Sequence, residues 1–207
     1  MRLSATDSQC QSDSAVILES IVTSVNSDGT VNLAPMGPRI ETGPADETVF
    51  VLRPYESSQT YQNLLRSGAA VIHVTDDVSL FARAAVGKVE PEGLVRQYES
   101  SSWWPLIDCH RWFAVQVESI SDDSPRVDIR CRVIQSKVVR PFFGLNRAKH
   151  AVIEAAILAT RTDFLPPDQI RDQIESLQPL VDKTAGPVES EAFRFLRQTI
   201  DDRLDQP

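Results

Sequence analysis

A tight turn, a strand and a bend are encoded in the stretch Asn26-Ser27-Asp28-Gly29-Thr30-Val31-Asn32-Leu33-Ala34-Pro35-Met36-Gly37-Pro38-Arg39. This stretch follows a strand-like run at Ile17–Val25. The dipeptide Asp28-Gly29 predicts a hairpin between the two runs, because glycine adopts the positive φ of a tight turn at little steric cost. The sequence therefore predicts two antiparallel strands, the second of them at Thr30–Leu33.

A bend is predicted after the second strand. Pro35 and Pro38 have no N–H to donate to a continuing ladder, so we expect the chain to leave the sheet at Ala34–Pro38. Backbone amides freed in this way can hydrogen-bond the polar edge of a flat ring. The alternative is an ordinary bent strand end that binds nothing.

A second segment with binding character lies further along the chain. Val49–Leu52 has the composition of a buried strand, and Ser57–Ser67 is predicted to be a short helix closed by Gly68. Ser57 or Ser58 would be its N-cap.

The start of this helix suits a phosphate group. Hydroxyls at Ser57, Ser58 and Thr60 accompany the free N–H groups of a first turn, and Arg53 lies shortly before them. Each charge-assisted hydrogen bond is worth about 1.5–3 kcal/mol, against about 0.3–1 kcal/mol for the helix terminus, so the side chains would dominate. The alternative is a serine-capped surface helix without a ligand.

The distribution of charge also favours an anionic ligand. The chain has a net charge of −8, yet no Asp or Glu lies between Asp28 and Glu41, between Glu56 and Asp76, or between Asp128 and Glu154. The first two of these windows contain the candidate cofactor segments, which leaves room for an anion there. Chance clustering is the alternative. The acidic balance of the whole chain is unfavourable for nucleic acid, because binding to a phosphate backbone normally needs a basic face.

Three further strands are predicted downstream. They are Ala70–Thr75, Trp112–Ile120 and Arg126–Gln135, and the turn Asp122–Pro125 would join the last two as a hairpin. With the earlier segments this gives about six strands. The absence of a βαβ rhythm, of a Gly-x-Gly-x-x-Gly motif and of a P-loop favours an antiparallel barrel over a Rossmann domain.

The last part of the chain is predicted to be helical. Asn146–Thr160 has a face of small residues that allows close packing, Pro166-Pro167 ends it, and two helices follow at Asp168–Leu177 and Val188–Leu204. This tail could cover the barrel or a dimer seam.

Basic side chains cluster at the start of the first of these helices. Arg147, Lys149 and His150 could reach a substrate carboxylate or a partner's phosphate, and the alternative is a solvated polar face.

Three other groups of residues have two interpretations each. His73, with Thr75, Asp76 and Asp77, could supply a general acid or a metal site, or could be a core histidine followed by a turn. Trp103 and Trp104 could stack on a flavin or pterin, or could pack in a core or interface. Arg83 could enter the flavin site of a partner subunit, or could be a structural arginine whose charged end reaches water.

Composition indicates a compact protein, because 207 residues with 42% hydrophobic content can bury a sizeable core. Residues 1–14 are predicted to be a disordered tail without an apolar signal segment, and no apolar run approaches the ~20 residues that cross a bilayer. We therefore expect a cytoplasmic protein. Cys10, Cys109 and Cys131 lack metal-type spacing and are expected to be free thiols, with Cys131 buried.

Taken together, the hairpin, the Asn32-Leu33-Ala34-Pro35 run and the Ser/Thr-rich helix start resemble the FMN-binding split β-barrel of flavin reductases and pyridoxamine-phosphate-oxidase-like proteins. Four runs are more specifically similar to domain-of-unknown-function family 447, a branch of that superfamily met in methanogens and in bacteria with methanopterin-linked one-carbon metabolism. These runs are Ile17–Thr23, Asn32–Gly37, His73–Val78 and Asn146–Ala155.

The resemblance implies a mainly β (α+β) fold, an antiparallel split β-barrel with a C-terminal helical extension. The domains would be a tail at 1–14, an FMN-binding domain at 15–142 and a helical extension at 143–207. The protein would be a homodimer with its flavin sites near the interface.

The resemblance also assigns residues to the cofactor. The isoalloxazine ring would be lined by Asn32, Ala34, Pro35, Met36 and Gly37. The phosphate would be held by Arg53, Ser57, Ser58 and Thr60. Arg83 joins the candidate cofactor residues on its own pattern, as an isolated charge in the apolar run Phe81–Ala85.

The leading functional hypothesis is an FMN-dependent oxidoreductase that acts on a small molecule, with a reduced nicotinamide or pterin-like donor. In such enzymes the flavin carries the chemistry, so no side-chain nucleophile is required. The alternatives are a protein that binds FMN or another phosphorylated ligand without catalysis, and a structural dimer with an empty barrel. No membrane or nucleic-acid partner is expected.

Overall fold

The computed structural model describes residues 15–43, 46–121 and 127–205. The predicted tail at 1–14 and the predicted turn Asp122–Pro125 lie outside these residues. No helix in the described part of the chain combines the length and the apolar character needed to span a membrane.

Eight strands form one sheet in the order β1-β4-β5-β8-β7-β6-β2-β3. Every neighbouring pair is antiparallel. The strands are β1 (Val16–Ile17), β2 (Ser20–Val25), β3 (Val31–Met36), β4 (Arg39–Thr42), β5 (Thr48–Leu52), β6 (Ala69–Val74), β7 (Arg111–Ser121) and β8 (Asp128–Val138). The predicted antiparallel split β-barrel is confirmed, with eight strands in place of the six expected.

The predicted single strand at Ile17–Val25 is two strands. β1 pairs with β4, whereas β2 lies between β3 and β6. At the break between them the Leu18 amide donates to the Pro38 carbonyl, at 3.0 Å. Sequence alternation could not reveal this change of partner, because both segments keep extended backbone.

The predicted end of the second strand at Leu33 is also wrong. β3 continues to Met36 and stays in register with β2, with Pro35 opposite Ile21. Because β3 is an edge strand, the missing N–H of Pro35 interrupts no ladder on its outer side. Ala34–Met36 therefore extend the sheet, and the chain turns only at Gly37 and Pro38.

Five helices accompany the sheet in the described part of the chain. They are α1 (Gln59–Ser67), α2 (Val78–Ala85), α3 (Arg147–Ala159), α4 (Pro167–Thr184) and α5 (Pro187–Leu204). α1 begins after the N-cap Ser58 and ends at Gly68, whose φ of 65° is left-handed, as predicted. α2 was not predicted, and α4 is longer than predicted because Pro179 is accommodated inside it.

The sheet is covered on both faces. One apolar cluster includes Val22, Phe50 and Val115. Another includes Ile21, Phe81 and Trp112. Since β7 contributes to both clusters, it is buried on its two sides near its start.

The C-terminal helices build a cluster of their own. The predicted small-residue face of α3 is fully packed, since Ala148, Val152, Ala155, Ala156 and Ala159 are all buried. They meet side chains of α4 and α5 such as Ile170, Ile174 and Leu196. The opposite side of α3 is left to face the barrel.

Candidate functional site

A cavity of about 800 Å³ lies where the ends of β3 and β5 meet α1, α2 and α3. Eight of the ten residues that sequence analysis assigned to a cofactor line it. They are Ala34, Pro35, Met36, Gly37, Arg53, Ser57, Ser58 and Thr60. Two segments that are separate in sequence thus meet in one space.

The β3 side of the cavity depends on a close approach of two strands. A Cβ on Gly37 would lie 2.9 Å from the Cγ2 of Ile17, which is closer than real contacts allow. Ile17 and Gly37 both line the cavity. A larger residue at position 37 would force the Ile17 side chain to shift and would change the shape of this wall.

The N-terminus of α1 offers unused hydrogen-bond donors. The Ser58 hydroxyl accepts from the Tyr61 amide at 3.2 Å, which leaves its own proton free to donate. The amides of Gln59 and Thr60 have no intrahelical partner at this position in a helix. Ser57 is exposed and its hydroxyl makes no hydrogen bond within the described residues. These groups converge on the same end of the cavity.

Asn32 lies behind this end and not on the cavity wall. Its side-chain amide donates to the Thr60 hydroxyl at 3.0 Å and to the Ser24 hydroxyl at 3.4 Å. Thr60 is therefore oriented as an acceptor toward Asn32, with its own proton available to the cavity. Asn32 therefore positions Thr60, whereas the resemblance predicts a contact between Asn32 and the isoalloxazine ring.

Two arginines share one carboxylate beside the cavity. Asp128 accepts from Arg39 at 2.5 Å and from the Nε of Arg53 at 2.6 Å. The terminal nitrogens of Arg53 have no partner among the described residues. The buried Nε of Arg39 has none either. The terminal nitrogens of Arg53 are thus cationic donors from which an oxyanion in the cavity can accept.

A helical wall completes the cavity and was not assigned to it from sequence. It consists of Phe81 and Ala85 from α2, Ile153, Ala156 and Ile157 from α3, and Thr160, Arg161 and Phe164 beyond α3. The tail was predicted to cover either the barrel or a dimer seam, and in this structure α3 covers the barrel. Ile153 and Ile157, spaced four residues apart beside the small-residue face, are the signal that could have found this wall.

Glu19 is the single carboxylate among the described residues that line the cavity. Burial raises the pKa of Glu19 above its usual value, and the charge of Glu154 adds to the effect. The residue lies in the break between β1 and β2, within the run that the sequence predicts to be one continuous strand. Glu19 is thus a carboxyl group that holds a proton more readily than usual.

Arg83 lies outside the cavity of its own chain. Its side chain is exposed on α2 and its Nε donates to the Ser79 carbonyl at 3.3 Å. The predicted approach of Arg83 to a partner's flavin stays a prediction.

His73 is a core residue. It is fully buried, its Nδ1 lies 2.8 Å from the Ile21 carbonyl, and its Nε2 accepts from the Leu106 amide at 3.0 Å. Burial lowers the pKa of His73 to about 4, so the ring is neutral at pH 7. No group of side chains in the described ranges is suited to a metal ion. The structural interpretation of His73 is therefore the one that its contacts support.

Asp76 and Asp77 have separate roles. Asp77 caps α2 by accepting from the Leu80 amide at 2.9 Å. Asp76 pairs with Arg140 at 2.6 Å, with Lys149, and with the Nε2 of His110 at 3.0 Å. Partial burial opposes its ionisation, but the hydrogen bonds from Lys149 and Arg140 outweigh that and hold the pKa of Asp76 well below its usual range.

The remaining candidates lie elsewhere. Trp103 packs against the cluster that contains Trp112, and the Trp104 carbonyl accepts from the Thr23 hydroxyl at 2.8 Å. Neither tryptophan lines the cavity. Arg147 is exposed on the first turn of α3. Lys149 is committed to the Asp76 cluster and so is not free for a substrate.

The fold and the cavity together define an antiparallel split β-barrel protein with a helical extension added to one wall. The chain belongs to the DUF447 family of proteins of unknown function. The model of that family's N-terminal domain matches residues 18–140, and its second model matches residues 146–198.

Solved structures with similar folds include an FMN-bound DUF447 protein from Methanosarcina mazei. It is 19% identical, with a TM-score of 0.76 over 89% of this chain and 95% of that one. The flavin reductase of a styrene monooxygenase from Pseudomonas putida is 13% identical, with a TM-score of 0.48 over 61% of this chain and 82% of that one. Component B of a nitrilotriacetate monooxygenase from Bacillus cereus is 18% identical, with a TM-score of 0.47 over 67% of this chain and 82% of that one.

Proposed function

We propose that this protein is an FMN-binding flavoprotein and that the cavity between the sheet and α3 is its cofactor site. The observation that carries the proposal is that eight residues which the sequence predicts to contact the cofactor line one cavity. The same-family protein from Methanosarcina mazei holds FMN on this fold. A cavity of about 800 Å³ is within the usual range of roughly 300–1,000 Å³ for small-molecule sites.

The chain's own groups fit the two ends of such a ligand. Arg53, Ser57, Ser58 and Thr60 would hold the phosphate, through the free guanidinium nitrogens, the hydroxyl protons and the amides at the start of α1. The ring would lie against Ala34–Gly37 and the apolar wall of α2 and α3. The acidic chain thus concentrates unpaired donors at one end of an apolar space.

As the finer part of this proposal, the protein is an oxidoreductase that acts on a small molecule, with a reduced nicotinamide or pterin-like donor. FMN supplies hydride and electron transfer when bound. The chain excludes water with Phe81, Ile153 and Ile157, and Glu19 can hold or release a proton at its carboxylate oxygens. The buried free thiols Cys109 and Cys131 support a reducing, cytoplasmic location.

Cofactor binding is tested by spectroscopy of the purified protein. FMN is added, excess flavin is removed by gel filtration, and the visible absorption of the protein fraction is recorded. We expect near-stoichiometric flavin in the wild type. We expect at least a tenfold weaker affinity in Arg53→Ala, because a charge-assisted contact of about 1.5–3 kcal/mol is lost.

The matched control is Arg194→Ala. Arg194 is exposed on α5, outside the cavity, and has no ion-pair partner among the described residues. Asp128 stays paired with Arg39 in the Arg53→Ala variant, so the fold should persist and the circular dichroism spectrum should be unchanged. Equal flavin retention in both variants would show that Arg53 does not hold the phosphate. A wild type without retained flavin would overturn the proposal.

The oxidoreductase part is tested separately by anaerobic reduction of the flavin-loaded protein. NADH, NADPH and a reduced pterin are each added, and the loss of flavin absorbance is followed by stopped flow. Bleaching faster than that of free FMN is the expected result. Retained flavin that no donor reduces would leave a protein that binds FMN without catalysis.

A further inference from the structure

One cation of the cavity wall has no acidic partner among the described residues. This is Arg161, which follows α3. Its backbone is fixed, since its amide donates to the Leu158 carbonyl at 2.9 Å and its carbonyl accepts from Phe164 and Leu165 at 3.0 Å each. The guanidinium makes no ion pair or hydrogen bond with the described part of the chain. The backbone is thus anchored while the charge remains available.

The other two arginines of the wall are differently placed. Arg39 and Arg53 both pair with Asp128, at 2.5 and 2.6 Å, so one carboxylate offsets part of their charge. Arg161 alone keeps an uncompensated charge on the wall among the described residues. In a chain with net charge −8, such a cation beside an apolar cavity favours an anionic ligand.

Arg161 stands on a different wall from the phosphate end. α3 packs against α2, α4 and α5, whereas α1 packs against β2, β3 and β6. The phosphate of FMN already has Arg53 and the first turn of α1 in the proposed function. A second anion is therefore the group that Arg161 is placed to receive.

An aromatic ring accompanies Arg161. Phe164 lines the same cavity and its side chain is 80% exposed, although it is large and apolar. Ile157 lies one turn before Arg161 on the same wall. An arginine next to an exposed aromatic ring and an aliphatic wall suits a planar molecule that carries an oxyanion.

We propose that Arg161 and Phe164 form a second anion subsite, in which a planar, anionic small molecule binds beside the cofactor. The inference rests on the proposed function, because it assigns the substrate side of that cavity. The oxyanion can be a carboxylate on an aromatic substrate or the 2′-phosphate of a nicotinamide dinucleotide. In both cases the shared chemistry is an oxyanion held by the guanidinium.

The subsite is tested by isothermal titration calorimetry with two pairs of probes on the flavin-loaded protein. The first pair is benzoate and benzamide, which differ mainly in charge. The second pair is NADP⁺ and NAD⁺, which differ in the 2′-phosphate. We expect the wild type to bind the more anionic member of one pair about tenfold more tightly, which is the effect of one charge-assisted hydrogen bond.

Arg161→Gln should reduce the affinity ratio between the two members of that pair from about ten to about one, because a neutral amide cannot supply the charge. FMN retention should be unchanged in this variant, and Arg194→Gln should keep the wild-type ratio. Phe164→Ala should weaken both members of the pair that binds, without changing their ratio. The pair that shows the preference identifies the source of the oxyanion.

Three results would overturn the inference. They are the absence of any preference in the wild type, a preference that survives in Arg161→Gln, and loss of FMN in that variant, which would assign Arg161 to the cofactor. Calorimetry does not require flavin. If the wild type retains no FMN, the proposed function fails, and the same titrations on the flavin-free protein still decide whether Arg161 selects anions.

Discussion

At the scale of single residues, His73 shows how context selects between two chemistries. A histidine followed by Thr75, Asp76 and Asp77 is compatible with catalysis or metal binding on sequence alone. In the structure both ring nitrogens are used inside the core, by the Ile21 carbonyl and the Leu106 amide. The residue links β6 to β2 and to the segment before β7, and it is not available to a ligand.

This burial predicts a pH-dependent stability. The pKa of His73 is about 4 in the folded state and near 6.5 in an unfolded chain. His73 therefore takes up a proton at a higher pH in the unfolded state than in the folded state. The stability that comes from keeping His73 neutral is fully present above pH 6.5 and is lost as the pH falls toward 4. The loss attributable to His73 should reach about 3 kcal/mol, measured by urea unfolding across this range.

The variant His73→Gln should flatten the slope between pH 6.5 and pH 4. It should also lower the free energy of unfolding at pH 7 by about 1–3 kcal/mol, because the two buried partners lose their geometry. The control is His150→Gln, since the His150 side chain is 63% exposed. An unchanged slope in His73→Gln would contradict the assignment.

At the scale of elements, the attachment of α3 to the sheet is what forms the cavity. Asp76, between β6 and α2, pairs with Arg140, which follows β8, and with Lys149 on α3. Lys149 also lies 4.0 Å from Glu189 on α5. One carboxylate thus connects the barrel with the helical extension that supplies the cavity's apolar wall.

Asp76→Asn should lower the free energy of unfolding by about 2 kcal/mol at pH 7, since the neutral amide leaves the charges of Lys149 and Arg140 less compensated. The wild-type contribution is present above the ordinary carboxyl pKa of 3.8 and is lost as the pH falls below it, because the folded pKa is depressed. Urea unfolding at pH 7 measures the difference.

The control is Asp163→Asn, because Asp163 is exposed and has no ion pair within the described residues. It should change the unfolding midpoint very little. Equal stability of both variants would mean that the cluster does not hold α3 in place. Weaker FMN binding in Asp76→Asn alone would connect the cluster to the site.

At the scale of the whole molecule, exposed apolar side chains support the proposed homodimer. Phe143 is 100% exposed and Leu145 is 97% exposed, in the segment that joins β8 to α3. Val138 and Phe142 nearby are 63% and 55% exposed. Large apolar side chains exposed together within residues 138–145 are typical of protein interfaces.

We expect the wild type to be a dimer and the double variant Phe143→Ser, Leu145→Ser to be a monomer, by light scattering after gel filtration. The cause is the loss of apolar area, worth about 25 cal/mol per Å². Val188→Ser is the control, because Val188 is 54% exposed on α5. A monomeric wild type, or a dimer that persists in the double variant, would contradict this prediction. If the flavin sites lie near the interface, the affinity for FMN should fall in the double variant, in which the dimer is lost.

Much of the fold followed from local sequence. The Asp28-Gly29 turn, the caps of α1 at Ser58 and Gly68, and the alternation of β8 depend on conformational preferences of neighbouring residues. The antiparallel class and the helical tail were therefore predictable. The two segments that line the cavity are recognisable for the same reason. Proline, glycine and hydroxyl side chains set the backbone conformation and the helix caps of their own segment, and this does not depend on distant residues.

Only the tertiary structure decided which distant residues meet. β3 continues through Pro35 because it is an edge strand, and that position depends on the pairing of all eight strands. Glu19 and Arg39 lie on the same cavity as Arg161 and the wall of α3, which are more than a hundred positions further along the sequence. Such contacts depend on which surfaces are buried together. The sequence by itself therefore determined most strands, the C-terminal helices and two segments that line the cavity, whereas packing determined which walls meet to form that cavity.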